Sequence, residues 1–314
     1  MRFSHSLPAA SAPLALTIGN FDGVHRGHQV MLARLSAKAR ALGLRMGVLT
    51  FEPHPREVFT PQSAPTRLTS LREKFELLAA HGVEQVHVAR FTTAFAALSP
   101  AQFIDKVLVR GLHTRALLVG DDFRFGARRA GDFALLRDAA AQHGFELEAM
   151  PTVEHAGERV SSSAVREALI RGDLAHACDL LGRPYSISGR VVHGEKLGRK
   201  LGFATANVRM RHNRPPLLGI YAVRTHGIAD HALDGVASLG IRPTVSDSGR
   251  AVLEVHLFDF SANLYGRHLR VEFLHKIRDE EKYSDLETLR LQIARDCDSA
   301  KDYLAQHPVS PIAK

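Results

Sequence analysis

The sequence predicts an α/β domain built on a mainly parallel sheet, followed by an antiparallel β domain that ends in a helix. Three observations predict this. Over roughly the first 180 residues, short apolar runs alternate with helical stripes, the pattern of βαβ units. Near "LGRPYSISG" (Leu181–Gly189) the texture changes to short, alternating, β-branched segments separated by glycine turns. At 314 residues the chain is too long for one ordinary core. The division is placed between residues 182 and 183.

The first half follows from its periodicities. "LALTI" (Leu14–Ile18) is apolar throughout, as a strand buried on both faces must be. Leu32, Leu35, Ala39 and Leu42 then recur at helical steps, and Gly43 supplies a stop. "MGVLTF" (Met46–Phe51) is the second strand. Ser70 and Glu73 have capping-box spacing and open a helix that runs toward Gly82. "VEQVHVARF" (Val83–Phe91) alternates like a strand. Ser99-Pro100 is a helix start, with proline where no donor is needed. "ALLVG" (Ala116–Gly120) and "FELEAM" (Phe145–Met150) complete the set. Ligands of such sheets bind beyond the carboxyl ends of the strands.

The second half contains "YSISGRVVHG", "GIYAVRTHG", "HALDGVASLG", "LEVHLFDF" and "HLRVEFLHKIR". These read as hairpin strands of a small barrel. The last helix opens at a Ser284–Glu287 capping box, with Leu286, Leu289, Ile293, Ala300 and Leu304 on one apolar face.

Composition narrows the partners. Lys plus Arg number 41 and Asp plus Glu 33, an excess of 8 that favours anionic ligands. The basic residues are scattered, so no nucleic-acid arm is expected. No apolar run approaches the about 18 residues of a membrane span. The opening segment, interrupted by Pro8 and Pro13, reads as part of the fold and not as a signal peptide. Cys178 and Cys297 form no C-x-x-C pair and read as free thiols, as in a reducing cytosol.

Two clusters of motifs carry chemistry. "IGNFDGVHRGHQ" (Ile18–Gln29) puts His25 and His28 around Gly27 where a strand hands over to a helix. A helix N-terminus offers unpaired N–H groups and a positive dipole end, glycines let phosphate approach, and residues three apart share a side. "TFEPHPRE" (Thr50–Glu57) adds His54 and Arg56 after the next strand. "LLVGDDFRFGARRAGD" (Leu117–Asp132) adds acids, phenylalanines and arginines, either a solvated basic loop or a site for a planar ring that bears phosphate. "RVSSSAVREAL" (Arg159–Leu169) places Ser162 and Ser163 at a helix start, either as caps or as polyphosphate ligands, with Arg166 a turn later. In the second half, Gly194, Gly198 and Gly202 lie among Lys196, Arg199 and Lys200, a flexible basic loop. Thr205 and Asn207 share one face of a strand start and read either as turn residues or as hard oxygen ligands. Glu254 sits in an alternating strand with His256 and Phe258 on its face. Such a carboxylate either faces solvent or is costly unless paired or used.

Together these motifs closely resemble the bacterial bifunctional riboflavin kinase/FMN adenylyltransferases. The family motif G-x-F-D-G-V-H-x-G-H stands at Gly19–His28, and the serine-rich helix start stands at Arg159–Arg166. "GIYAV" (Gly219–Val223), "LEVHLFDF…LYG" ending at Gly266, and Lys276–Asp296 match the kinase half. The resemblance implies a Rossmann-like nucleotidyltransferase domain and a six-stranded kinase barrel. It implies an ATP site at Gly19, Asn20, Phe21, His25 and His28, helped by Ser162, Ser163 and Arg166, with His28 catalytic. It implies a second ATP site at Gly194, Gly198, Thr205 and Asn207, with Mg²⁺ on the last two and Glu254 as catalytic base. Asp122 and Arg278 are expected near flavin. Riboflavin, FMN and FAD are the implied substrates and products. No nucleic-acid or membrane partner is implied, and a cytoplasmic monomer or weak homo-oligomer is expected. One departure stands out. The family reads P-T-A-N where this chain has Ala204-Thr205-Ala206-Asn207, so the restraint of a proline ring is missing before Thr205.

Overall fold

The computed structural model describes residues 2–4, 12–194, 198, 201–210, 214–242 and 250–308. By internal contacts the chain divides into two compact units, residues 1–65 with 71–161, and residues 66–70 with 162–314.

The first unit is a parallel sheet of β1 (Arg2–Ser4), β2 (Leu14–Ile18), β3 (Arg45–Glu52), β4 (Gln85–Arg90), β5 (Thr114–Gly120) and β6 (Glu146–Met150). The strand order is β1-β4-β3-β2-β5-β6. Strand β1 adds to the predicted set and ties the start of the chain to the sheet through Arg2 opposite Gln85. Pro8 lies outside the described residues.

Both faces of the sheet are covered, which explains the unbroken apolar runs. Leu14, Leu16, Ile18, Leu49, Leu117 and Val119 enter one core. Ala15, Met46, Val48 and Leu118 enter the other, with Leu32, Leu35 and Ala39 of α1 (Arg26–Ala41). Leu42 leaves the predicted stripe. It is the C-cap and is 40% exposed, because Gly43 turns the chain away at φ 63°.

Shorter helices connect the strands. They are α2 (Pro55–Phe59), α3 (Leu71–Ala80), α4 (Thr93–Ala96), α5 (Pro100–Phe103) and α6 (Phe133–His143). Ser99 caps α5 as predicted, with Pro100 at the first turn and Gln102 closing the box. Edge strand β6 is held against α1 by Lys38, whose Nζ lies 2.9 Å from Glu146 and 3.0 Å from Glu148. Arg34 also binds Glu148. A hairpin of β7 (Glu154–His155) and β8 (Glu158–Arg159) ends the unit.

The second unit begins with α7 (Ser162–Ile170) and α8 (Leu174–Leu181) and continues as a closed barrel. Its strands are β9 (Tyr185–Val192), β10 (Thr205–Arg209), β11 (Gly219–His226), β12 (Leu233–Arg242), β13 (Arg250–Leu257) and β14 (His268–Arg278). They close in the order β10-β13-β12-β11-β14-β9, every pair antiparallel. Period-two alternation sorts the side chains. Tyr221, Val223, Val271 and Phe273 are fully buried, while Ile220, Ala222 and Val236 pack on Cys297, Ala300 and Leu304 of the C-terminal helix (Leu286–Gln306).

That helix starts differently from the prediction. Asp285, not Ser284, is the N-cap, accepting from the Thr288 N–H at 2.8 Å, while Ser284 Oγ donates to Asp285 at 3.1 Å. A carboxylate at the positive helix end outcompetes a hydroxyl. The apolar face also begins later, since Leu286 is 58% exposed. Both cysteines lie in helices as free thiols, Cys178 half-buried and Cys297 buried. Burial pushes the Cys297 thiol up to about 11.

Candidate active sites

Strand β2 ends where the sheet order switches, between β3 and β5. The turn that follows is strained. Phe21, Gly23 and Val24 have φ of 49°, 82° and 41°. A β-branched residue at positive φ costs about 1–3 kcal/mol and persists only if its surroundings dictate it. Phe21 and Val24 are fully buried here. Gln29 Nε2 donates to the Val24 carbonyl at 2.9 Å, and Thr50 Oγ1 donates to the Asn20 carbonyl at 3.2 Å.

The turn delivers His25 to the N-cap of α1. Its Nδ1 accepts from the His28 N–H at 3.4 Å, which puts the ring hydrogen on Nε2. The two imidazoles stack at 3.7 Å, and Phe21 lies 4.8 Å from His28. Gly27 makes room for this arrangement, because a Cβ there would stand 3.2 Å from the His25 ring. A Cβ on Gly19 would similarly press on Phe21 at 3.2 Å. His28 Nδ1 and Asn20 Oδ1 are buried polar atoms with no hydrogen-bond partner. Such atoms cost about 1–3 kcal/mol each and point to a ligand that satisfies them.

Burial first, then the nearby His25 and Lys74, hold His28 well below its ordinary 6.5. The unfolded chain therefore takes up this proton before the folded chain does. His28 contributes its full stability above pH 6.5 and loses it as the pH falls through the depressed folded value. Denaturant titrations at about pH 7.5 and about pH 5.5 should show the first unit weakened at the lower pH, with a smaller difference in His28→Asn. Equal pH slopes for the two proteins would contradict this.

Beside this turn, at the carboxyl ends of the strands, is a cavity of about 650 Å³. Phe51, Phe59, Phe91, Phe95, Phe123 and Phe125 line much of it, with Gly19 and Asn20 on one wall. Arg56, Asp122, Arg124, Arg128 and Arg129 are also at its surface. Asp122 is paired with Arg159 at 2.8 Å. His54 is used locally as the N-cap of α2, in a box with Glu57. The aromatic wall escapes sequence reasoning, because its residues come from separate connections and share no motif. Lys74 was also missed. It is only 5% exposed and close enough to act on His28. A lysine inside the apolar pattern Leu71, Phe75, Leu78 was the available signal.

Ser162 and Ser163 are the first residues of α7, and Arg166 lies one turn on. These residues belong to the second compact unit, where Arg166 Nε donates to the Thr66 carbonyl at 2.6 Å.

The second unit holds a cavity of about 460 Å³ lined by Gly198, Thr205, Glu254, His256, Arg278 and Tyr283, among others. Strand register assembles it. Asn207 lies opposite Glu254, Thr205 opposite His256, and Ser238 opposite Glu254 on the other side. Leu253, Val255 and Leu257 point into the barrel, leaving Glu254 and His256 half-buried on the cavity face. Arg278 is anchored by a two-pronged pair with buried Asp296, at 2.8 and 2.7 Å. Asp296 and then the other nearby acidic groups raise the Arg278 pKa against the opposing effect of burial.

The two glycines have a steric reason. A Cβ on Gly194 would fall 2.4–2.5 Å from the Asn207 amide group, and one on Gly198 would fall 2.4 Å from the Phe203 carbonyl and 3.2 Å from Thr205 Oγ1. The chain thus wraps closely around two hard oxygen donors, a set that fits Mg²⁺ completed by phosphate and water. Among the described residues, no cluster of three His, Cys, Asp or Glu could hold a metal instead. Lys196, Arg199 and Lys200 lie outside the described residues. Gly194→Ala should displace Asn207 and cost the second unit about 1–3 kcal/mol of stability, while leaving the first unit unchanged. Denaturant titration of the variant beside the wild type checks this.

Residues 7–164 match the FAD synthetase family, and residues 181–304 match the riboflavin kinase family. The chain is 50% identical over 288 residues to the bifunctional riboflavin kinase/FMN adenylyltransferase of Escherichia coli (strain K12), covering 92% of each chain. It is 47% identical over 301 residues to the protein of that name from Pseudomonas fluorescens, covering 96% of each. It is also similar to a solved structure titled "Crystal Structure of Macrolide-efflux Protein from Streptococcus pneumoniae". That similarity has a TM-score of 0.80 and 27% identity, over 95% of this chain and 98% of the other. The matches cover both halves in order and nearly the full length of the curated relatives, so the chain belongs to the bifunctional riboflavin kinase/FMN adenylyltransferase family.

Proposed function

We propose that the chain makes FAD from riboflavin in two steps, each in its own domain. Two cavities support this reading, one lined by Thr205 and Glu254 in the barrel unit, the other by phenylalanines beside Gly19 and Asn20 in the sheet unit. In the first step the ribityl 5′-hydroxyl of riboflavin attacks the γ-phosphorus of ATP, and ADP leaves. Glu254 accepts the hydroxyl proton and aims the oxygen. Thr205 and Asn207 would hold Mg²⁺ against the phosphates, and the ion would neutralise charge on them. Gly194 and Gly198 leave room for Asn207 and Thr205 beside the nucleotide, and Arg278 contributes to the flavin side of the cavity.

In the second step an FMN phosphate oxygen attacks the α-phosphorus of a second ATP, and pyrophosphate leaves. His25 donates from Nε2, and His28 and the start of α1 complete the donor set for the growing negative charge. Gly19, Asn20 and Phe21 shape the nucleotide side, while Ser162, Ser163 and Arg166 bind polyphosphate. The phenylalanine-lined cavity receives the isoalloxazine ring, whose flat apolar faces suit aromatic walls, with Asp122 at its edge.

The domain boundary is proposed at residues 182/183, which the start of the riboflavin kinase match at residue 181 supports. Neither reaction requires nucleic acid. Among the described residues no helix is long and apolar enough to cross a membrane. We place the enzyme in the cytoplasm, as a monomer or weak homo-oligomer. The test is a time course with riboflavin, ATP and Mg²⁺ in which flavins are separated by chromatography. Riboflavin should fall, FMN should rise transiently and FAD should accumulate. A chain that adenylylates supplied FMN but makes none from riboflavin would remove the kinase half of the proposal.

A further inference from the structure

Thr205 enters strand β10 after a turn that is held at Phe203, whose N–H donates to the Gly198 carbonyl at 2.8 Å, while none of the described backbone hydrogen bonds is donated by Ala204. Ala204 is exposed, and the ring restraint that the family's proline would give is absent. Yet Thr205 must present its hydroxyl within a few tenths of an ångström of a fixed place if it is to serve a phosphate site. The structure supplies another restraint. His256 Nδ1 lies 2.9 Å from the Ala204 carbonyl oxygen. A carbonyl can only accept, so Nδ1 carries the hydrogen. The imidazole is itself fixed from two sides, edge-on to Phe203 at 5.6 Å and to Phe258 at 5.9 Å. Both phenylalanines pack on the core between barrel and C-terminal helix. His256 also sits directly opposite Thr205 in the β10–β13 register. A rigid strand of the barrel thus reaches across and holds the residue before Thr205.

We infer that His256 is a positioning residue of the kinase site, tethering the Ala204 carbonyl and so doing by hydrogen bond what a proline would do by covalent restraint. This inference rests on the proposed kinase role of Thr205. It makes two demands that general packing does not. The tether depends on a donor at the δ position, which Asn retains and Phe lacks. It is also interchangeable with proline at 204. The described backbone hydrogen bonds include none donated by Ala204, so proline there forfeits none of them.

The experiment uses the full-length chain as wild type, His256→Phe, His256→Asn, Ala204→Pro, and Ala204→Pro combined with His256→Phe. Phe keeps the ring packing. It should lower kcat/KM for ATP in riboflavin phosphorylation by about tenfold or more, with the KM for riboflavin little changed. Asn should stay within about threefold of wild type, and proline alone within about twofold. The double variant should recover most of the loss, a non-additivity that marks a shared function. Adenylylation of supplied FMN should be unaffected throughout. A second readout does not depend on turnover. Hydrogen exchange of peptides spanning 201–209 in the ligand-free chain should quicken in His256→Phe and return toward wild type in the double variant.

Unchanged exchange in His256→Phe, or additive losses in the double variant, would overturn the tether. A wild-type chain unable to phosphorylate riboflavin would instead overturn the kinase reading, and with it the catalytic purpose of the tether. The exchange data would still decide whether the tether exists.

Discussion

Replacing His28 by alanine should leave riboflavin phosphorylation running and stop the flavin at FMN. The His28 ring stacks on His25 at 3.7 Å and packs beside Phe21, at the start of a helix whose first turn contains no acid. Its Nδ1 is a buried polar atom with no partner, and in the proposed reaction it lies where charge would develop on phosphate oxygens. Removing one such donor typically costs about 10²–10³ in rate, or roughly 3–4 kcal/mol of barrier. Loss of the stack should also loosen the packing of the His25 ring, which keeps its cap bond from the backbone N–H of residue 28, so the effect falls at the upper end of that range. Burial favours neutral His28 in the free protein, and ATP phosphates bound as proposed would favour its protonated form. Alanine forfeits that response as well as the hydrogen bond. The check is a riboflavin time course followed by chromatography, with a wild-type-like denaturant titration showing that the first unit is folded. FAD appearing within tenfold of the wild-type rate would remove His28 from the chemistry.

The complementary result is expected at Glu254. Alanine there should leave riboflavin unconverted while supplied FMN still becomes FAD. The carboxylate is flanked in register by Asn207 on one strand and Ser238 on the other, on the face of β13 that lines the cavity. General-base assistance contributes about 10²–10⁴ in rate, and a loose phosphoryl-transfer transition state places this residue toward the lower figure. Glu254→Gln separates basicity from shape. It keeps the side-chain volume and one carbonyl acceptor, so near-wild-type phosphorylation by Gln would show that Glu254 orients without accepting a proton. Loss in both variants, with intact FAD formation from FMN, is the expected outcome.

Much of this was legible in the sequence wherever chemistry and periodicity coincide locally. The strand Leu14–Ile18, the cap at Ser99 and the alternation around Glu254 each follow from neighbours in the chain. Pairing across strands was not legible. Nothing in "ATAN" or "LEVHLF" says that Asn207 faces Glu254, or that His256 reaches Ala204, because register depends on barrel closure. The aromatic cavity was invisible for the same reason. Its phenylalanines meet only after several parallel strands have stacked their loops at one end. Local competition explains the smaller misses. Asp285 displaced Ser284 at a helix start because a charge serves the dipole better, and Leu42 fell outside its stripe because Gly43 turned the chain first. Strand β1 has three residues and carries Arg2 and Ser4, too little pattern to register before the sheet existed.

The arrangement of strand ends also bears on how the chain behaves at high concentration. A closed barrel offers no free row of backbone donors and acceptors to a neighbouring molecule. The parallel sheet does have two borders. One is the very short β1, and the other is β6, whose Glu146 and Glu148 are clamped by Lys38 and Arg34. Short borders and fixed charge are what keep sheets from pairing edge to edge. The clamp on β6 therefore acts less as a source of folding energy than as a guard on solubility. Neutralising Lys38 and Arg34 together should loosen β6 from α1, and do so at residues that line neither cavity.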